Sequence, residues 1–249
     1  MMDGYSGWQL LFCALVIVLA FAVRGGAGFG GGAVAVPLLS LVFPVQVTVP
    51  VTTILNMLSS IGQGVADRRL IAWHEIRRIV PASIVGVFAG LYLLQMLDPK
   101  PLAKALGIFV VVYAIYALIM ADRTVQVPPR WQRPVAYVTS VIAGMVGSLF
   151  GSAAGPIYAI YLNSMKHARD VFRVTITMVM LFQGLTRIGG YAALGFYDGH
   201  AMLLLLAAVP LMVLGSWLGN TVVRRFNPAR FSRAIGVVLL LSGVALYLK

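Results

Sequence analysis

Between two apolar runs of this chain lies the stretch Arg-Gly-Gly-Ala-Gly-Phe-Gly-Gly-Gly-Ala-Val-Ala-Val-Pro, residues 24–37, and no unbroken helix accommodates it. A glycine weakens a helix interior by about 1 kcal/mol and a proline by about 3, and this stretch carries six glycines and a closing proline. The flanking runs are apolar enough for a bilayer, so the break falls at membrane depth. Backbone polar groups there survive only where protein or a water-filled cavity satisfies them, which points to a binding site inside a helical bundle. Arg24 sets the sign of what binds. A cation beside hydrocarbon is costly to keep, and glycine-rich turns leave N–H groups free to face an anion. The competing reading has the glycines serving close helix packing, with Arg24 snorkelling to the headgroups.

At 60% hydrophobic and 10% charged over 249 residues, with mean hydropathy +0.93, the chain is a polytopic membrane protein rather than a soluble domain. Its 19 Lys and Arg against 7 Asp and Glu fall almost wholly in short connections, so anionic lipid headgroups are the expected partner and nucleic acid is not. No basic segment precedes the first apolar run and no small-residue cleavage site follows it, so no cleaved leader is expected. Cys13 is the single cysteine, which excludes an intrachain disulfide and a cysteine-clustered metal site. The histidines, His74, His167 and His200, fall in or beside expected loops and offer no metal or proton site in the membrane.

Apolar segments are predicted at 8–23, 32–43, 49–66, 79–97, 102–120, 135–150, 155–162, 171–194, 201–223 and 231–248. The second and seventh are too short for a ~30 Å core and are entered through glycines, so each reads as half of a discontinuous element or a re-entrant piece. Connections 67–78, 122–133, 166–173 and 224–233 are rich in arginine and lysine and belong in the cytoplasm. Segments 1–7, 44–48 and 195–200 carry neither, and 98–104 carries only Lys100 and Lys104, so these belong outside, with both termini. This threading requires the two short segments to recross, or to behave as if they do.

The same threading divides the chain into a first membrane repeat, 1–122, a cytoplasmic connection, 123–134, and a second repeat, 135–249, each of five segments and therefore oppositely oriented. Pro81, Gly86, Gly90, Pro99 and Gly107 recur at one constant displacement as Pro210, Gly215, Gly219, Pro228 and Gly236. For the glycine-rich stretches two registers stand. One pairs Gly28 with Gly151 and Gly32 with Gly155; the other pairs Gly25, Gly28, Gly32 and Pro37 with Gly144, Gly147, Gly151 and Pro156. Either gives an inverted repeat, in which substrate sits near the midplane between halves that rock against each other.

After the first break, Thr52, Asn56, Ser59 and Gln63 share a helix face, flanked by Thr53 and Ser60; in the second half Gln183, Arg187, Gly190 and Tyr191 do the same. Such a face is either interhelical hydrogen-bonding glue or the wall of a polar pathway. Arg187 is about two turns, roughly 12 Å, from the outer end of its helix, deep enough to need a partner. All seven acidic residues lie in or next to expected loops, so that partner is an anionic ligand or carbonyls at a helix break, unless Arg187 snorkels outward. The absence of an acidic residue or histidine in the membrane segments also favours coupling to sodium, or no coupling, over a proton relay. Catalysis finds no support: Ser148 and Ser152 lack a base, and Gly28-Phe-Gly30 lacks the strand and helix context of a dinucleotide site.

Two halves, each with a glycine-rich break and a short apolar run, Gly28 to Pro37 and Gly-Ser-Ala-Ala-Gly-Pro-Ile-Tyr from Gly151 to Tyr158, resemble the sulfite exporter TauE/SafE family, also called the toluene sulfonate uptake permease family. The resemblance covers nearly the whole chain; Ala153 and Ala154 stand where the family often has glycine. It implies transport of small anions, sulfite, sulfonates and other organosulfur acids, across the bacterial inner membrane. The expectation is thus an all-α polytopic carrier of two inverted five-segment repeats, with no cofactor, no enzymatic activity and no bound metal. Its anion site is expected at Arg24, Gly28, Gly30, Gly31, Gly32, Asn56 and Gln63 in one half and Gly151, Ser152, Gly155, Gln183 and Arg187 in the other. A coupling ion, sodium or proton, and a homo-oligomer stay open as partners, and a passive anion channel, a carrier of small carboxylates and a non-transporting scaffold stand as alternatives.

Overall fold

The computed structural model describes residues 6–27, 30–66, 68–120, 128–151, 157–158, 169–221 and 228–248. Within them the chain is helical and no strand occurs. The helices are α1 (Gly7–Ala27), α2 (Gly31–Leu39), α3 (Val45–Ala66), α4 (Trp73–Met96), α5 (Pro99–Met120), α6 (Pro129–Phe150), α7 (Arg169–Ala193), α8 (Gly199–Thr221) and α9 (Pro228–Leu248), with a single 3-10 turn at Arg68–Leu70. Five stretches, Gly7–Gly25, Trp73–Met96, Pro99–Tyr116, Arg130–Phe150 and Ala201–Thr221, are long and apolar enough to cross a membrane.

Helix starts follow from local chemistry. Pro99, Pro129 and Pro228 occupy the first positions of α5, α6 and α9, where the missing N–H costs nothing. Between α7 and α8 the turn is specified residue by residue. Gly195 is left-handed at φ 76°, its N–H donates to Ala192 O, and the Phe196 N–H donates to Tyr191 O, a Schellman termination. The Phe196 ring meets Tyr191 edge-on, the apolar contact that accompanies this motif. Asp198 then caps α8 by accepting from the Ala201 N–H at 2.8 Å.

Two layers result. α3 and α7 run through the interior: every residue from Thr48 to Thr53 and from Val174 to Met180 is buried. α2 is buried from Gly31 to Pro37. The outer helices present apolar stripes outward, such as Leu11, Leu15 and Leu19 on α1, Val85, Phe88 and Tyr92 on α4, and Val237, Leu241 and Val244 on α9. Water does not tolerate such a belt and lipid does, so the molecule is a multi-pass membrane protein.

The outer helices meet backbone to backbone. A Cβ on Gly86 or Gly90 of α4 would lie 1.9 or 2.5 Å from the carbonyls of Val141 and Met145 on α6; one on Gly215 or Gly219 of α8 would lie 2.5 or 2.2 Å from those of Val18 and Ala22 on α1. Corresponding glycines thus dock on corresponding carbonyls. Val18 and Ala22 relate to Val141 and Met145 by the same displacement that pairs Gly28 with Gly151.

α2 has 9 residues, a rise of about 14 Å, too short to cross a ~30 Å core by itself, as expected of a discontinuous or re-entrant piece. The two sequence halves interlock: α1 packs chiefly on α8, α4 on α6, α5 on α9 and α3 on α7, and every one of these pairs joins opposite halves. Two boundary expectations need correction. First, helices begin before their apolar runs. α4 starts at Trp73, which carries His74 and Glu75 into its first turn; the Glu75 side chain is 2% exposed and faces Arg78 at 3.7 Å. Second, Arg187 is closer to its helix end than expected, since α7 ends six residues on, about 9 Å away.

Candidate functional site

The first break lies where it is predicted: α1 ends at Ala27, α2 begins at Gly31, and Gly30 between them is left-handed at φ 96°. Arg24, in the last turn of α1, is 0% exposed and turns its guanidinium toward α3. Nη1 donates to Asn56 Oδ1 at 3.0 Å; Nη2 donates to Asn56 O at 3.2 Å and to the Ser60 hydroxyl. Asn56 is locked in turn, since its Nδ2 donates to Thr52 O at 2.7 Å. With a donor-only group on one side and a carbonyl on the other, only one orientation of this amide is satisfied. Gly31 closes the site from α2: a Cβ there would lie 3.0 Å from Asn56 Oδ1 and 3.1 Å from Arg24 Cδ.

All described partners of Arg24 are neutral, and its Nε is buried without a hydrogen-bond partner among the described residues. No described carboxylate pairs with it; the described ion pairs are those of Glu75 with His74 and Arg78. Transfer of an unpaired charge from water costs several kcal/mol, so a buried guanidinium whose described partners are all neutral calls for a further partner. Among the described residues the acceptors are Thr52 and Asn56 of the expected face and Ser60, which flanks it.

The second break is approached differently. α6 ends at Phe150, and Gly151 takes φ 69° and ψ −148°, a conformation reserved for glycine. A Cβ on Gly151 would sit 2.9 Å from Val36 Cγ2 of α2 and 3.5 Å from Thr52 Oγ1 of α3, so this break abuts the first site one turn along α3 from Asn56. Arg187, 1% exposed, points inward to α6 rather than out to headgroups: Nη1 donates to Gly147 O at 2.5 Å and Nε to Gln183 O at 3.4 Å. Tyr191, one turn on, donates to Ser148 O at 2.7 Å. The Gln183 amide donates to the Tyr158 hydroxyl, which donates to Ser140 O at 3.4 Å, and Gln183 Oε1 is buried without a partner among the described residues.

Of the expected site residues, Arg24, Gly31 and Asn56 meet directly and Gly30 adjoins them, while Gly32 is buried on α2. Gly151 touches the same α3 face, whereas Gln183 and Arg187 form a second cluster on α6 and α7 that shares no hydrogen-bond partner with Arg24 among the described residues. Gly28, Ser152 and Gly155, and the side chain of Gln63, lie outside the described residues. Sequence reasoning missed Gly147, Tyr158 and the acceptor role of Ser60. For Gly147 a signal existed, since the register that pairs Gly28 with Gly151 sets Gly147 opposite Arg24. Ser148, weighed as a nucleophile, instead donates to Val87 O at 3.1 Å and joins α6 to α4.

Comparison with known proteins agrees with this architecture. The family described as sulfite exporter TauE/SafE matches residues 13–246. The chain is 25% identical over 194 residues to the probable inner membrane transporter protein TsaS of Comamonas testosteroni, a match that covers 78% of this chain and 80% of that one. No solved structure matches. With the family spanning nearly every helix of a multi-pass bundle, the chain belongs to the sulfite exporter TauE/SafE family and is an inner-membrane transporter.

Proposed function

We propose that the chain is a secondary transporter that carries a small sulfur oxyanion or organosulfur acid, sulfite or a sulfonate, bound at Arg24 beside the first glycine break. The observation that carries this reading is the fully buried Arg24 guanidinium, whose described partners are all neutral. Gly30, Gly31 and Gly32 supply close backbone approach, Asn56 orients the guanidinium, and Gly151 brings the second half against the same α3 face. The family's description as a sulfite exporter supports sulfur oxyanions as the cargo class.

The two repeats, 1–122 and 135–249, are read as inverted, with cytoplasmic arginine-rich connections, and the repeated glycine contacts support a duplication. Because the closest helix pairs join opposite halves, alternating access in this reading moves mixed pairs, α1 with α8 against α4 with α6, around α3 and α7.

The test is thermal stabilisation of the purified protein by sulfite, methanesulfonate, sulfate, thiosulfate and small carboxylates, followed by counterflow in proteoliposomes. A ligand of the folded state stabilises it by RT ln(1 + [L]/Kd), so the series ranks affinities directly. Sulfite or a sulfonate is expected to rank first and to show counterflow. Stabilisation by none of the anions refutes the anion site, and uptake without counterflow refutes the carrier in favour of a channel.

A further inference from the structure

We propose that Arg187 is a positioning residue that, with Tyr191, caps the broken end of α6, while Arg24 alone supplies the guanidinium to the anion. This rests on the transport reading above. The last four carbonyls of a helix have no intrahelical partner, and in α6 these belong to Gly147, Ser148, Leu149 and Phe150. Arg187 Nη1 occupies the first and the Tyr191 hydroxyl the second. The two donors are one turn apart on α7, so they reach two successive carbonyls of a neighbouring helix from a single face. A cation at this end also meets the negative pole of the α6 dipole, which compensates the buried charge without a carboxylate.

Tyr191 is itself fixed by the turn that follows. Its carbonyl accepts from Phe196, its ring packs edge-on against Phe196 and Tyr197, and Tyr197 donates to Pro50 O of α3 at 3.4 Å. The cap therefore ties the end of α6 to α3 through α7, and it holds Gly151 where it meets Thr52 and Val36. Arg24 has no such employment: its donors go to a side-chain amide, a hydroxyl and one carbonyl of α3, and its Nε has no described partner. Loss of the cap frees the break and changes the rate at which the site reorients; loss of Arg24 changes whether the anion binds.

Three readouts separate the roles: sulfite Kd from thermal shift, maximal counterflow rate, and hydrogen exchange of the peptide ending α6. Tyr191→Phe and Arg187→Gln are expected to raise exchange at residues 147–151 and cut the maximal rate by about fivefold or more, with Kd within about threefold. Arg187→Lys, which keeps one donor, should recover part of the rate. Arg24→Gln should do the reverse, raising Kd by about tenfold or more with α6 exchange unchanged. The proposal is overturned if Arg187→Gln raises Kd as Arg24→Gln does while Tyr191→Phe is silent, or if neither cap variant alters exchange. Should Arg187→Gln fail to fold, Tyr191→Phe and Arg187→Lys decide alone. Absence of anion binding by the unsubstituted protein sinks the transport reading, while the exchange arm still decides the cap.

Discussion

Among the described residues, each half of the molecule buries a guanidinium at the C-terminal end of the helix that precedes its glycine break, and the two arrive there by opposite routes. In the first half Arg24 belongs to that helix, α1, and reaches out to Asn56 and Ser60 on α3. In the second half the position opposite Arg24 is Gly147, and the arginine comes from α7 to meet its carbonyl. One packing contact thus carries the charge on alternate sides. The consequence is chemical: the described bonds of Arg187 go to backbone carbonyls alone, whereas two of the three described bonds of Arg24 go to side chains, Asn56 Oδ1 and the Ser60 hydroxyl. In the proposed reading the two glycine breaks are therefore not used alike: one lies beside a binding group and the other beside a brace.

The largest expected effect tests whether the two halves are equivalent in packing. Gly86→Ala puts a Cβ 1.9 Å from Val141 O, and Gly219→Ala puts one 2.2 Å from Ala22 O. Neither carbonyl has room to yield, because each is held in its own helix. Both variants should lose most of their folded, monodisperse protein in detergent. Gly189→Ala, with nothing within 4 Å, serves as control and should gain up to about 1 kcal/mol of helix propensity. If one of the two packing variants accumulates normally, the equivalence of α4–α6 with α1–α8 fails.

Next comes the difference in charge. Asn56→Asp places a carboxylate where Asn56 Oδ1 already receives Arg24 Nη1, giving the guanidinium a built-in counter-ion. Hydrogen bonds to charged groups are worth about 1.5–3 kcal/mol, so anion affinity should fall on the order of tenfold to a hundredfold. Gln183→Glu, in the second half, should leave affinity nearly unchanged because Arg187 is already engaged with Gly147 O and Gln183 O. Equal losses in a direct binding titration would show that the anion senses both arginines alike.

How much of this was legible in the sequence depends on which force fixed it. The all-helical membrane fold and the break at Gly30 follow from apolar periodicity and glycine chemistry, which act locally and leave a mark in the letters. The glycine contacts of α4 with α6 were half legible: the repeated spacing of Gly86 and Gly90 in Gly215 and Gly219 signals a shared requirement but not its partner. The interlocking of the halves was illegible, because pairing between distant helices depends on which surfaces close on each other, and nothing local to α1 names α8. The same applies to Arg187. Its depth marks a need for a partner, yet a backbone carbonyl has no side chain to announce it.

A smaller effect distinguishes the two breaks. Gly151→Ala forces a side chain into φ 69° and 2.9 Å from Val36 Cγ2, and a residue in such a region costs on the order of 1–3 kcal/mol. Thermal stability should fall accordingly, with anion affinity largely kept. Gly31→Ala adds a Cβ 3.0 Å from Asn56 Oδ1 and 3.1 Å from Arg24 Cδ, so it should displace those side chains and cost affinity more than stability. Measuring melting temperature and sulfite Kd on both variants sharpens the contrast. The opposite pattern would place the anion at the second break.

The smallest effect concerns Ser60, the acceptor of Arg24 one turn beyond Asn56 on α3. Its hydroxyl accepts from Nη2 and donates to Asn56 O at 2.8 Å, yet Nη2 also donates to that same carbonyl at 3.2 Å. Ser60→Ala removes the bridge and leaves the two groups it joined in direct contact, so no buried carbonyl loses its last donor. The net worth of one such hydrogen bond is about 0.5–1.5 kcal/mol, and the remaining bonds to Asn56 keep the guanidinium in place. Sulfite Kd should therefore change by less than about threefold, and counterflow should persist. A loss as large as that of Asn56→Asp would mean that the hydroxyl, and not the guanidinium it accepts from, contacts the anion.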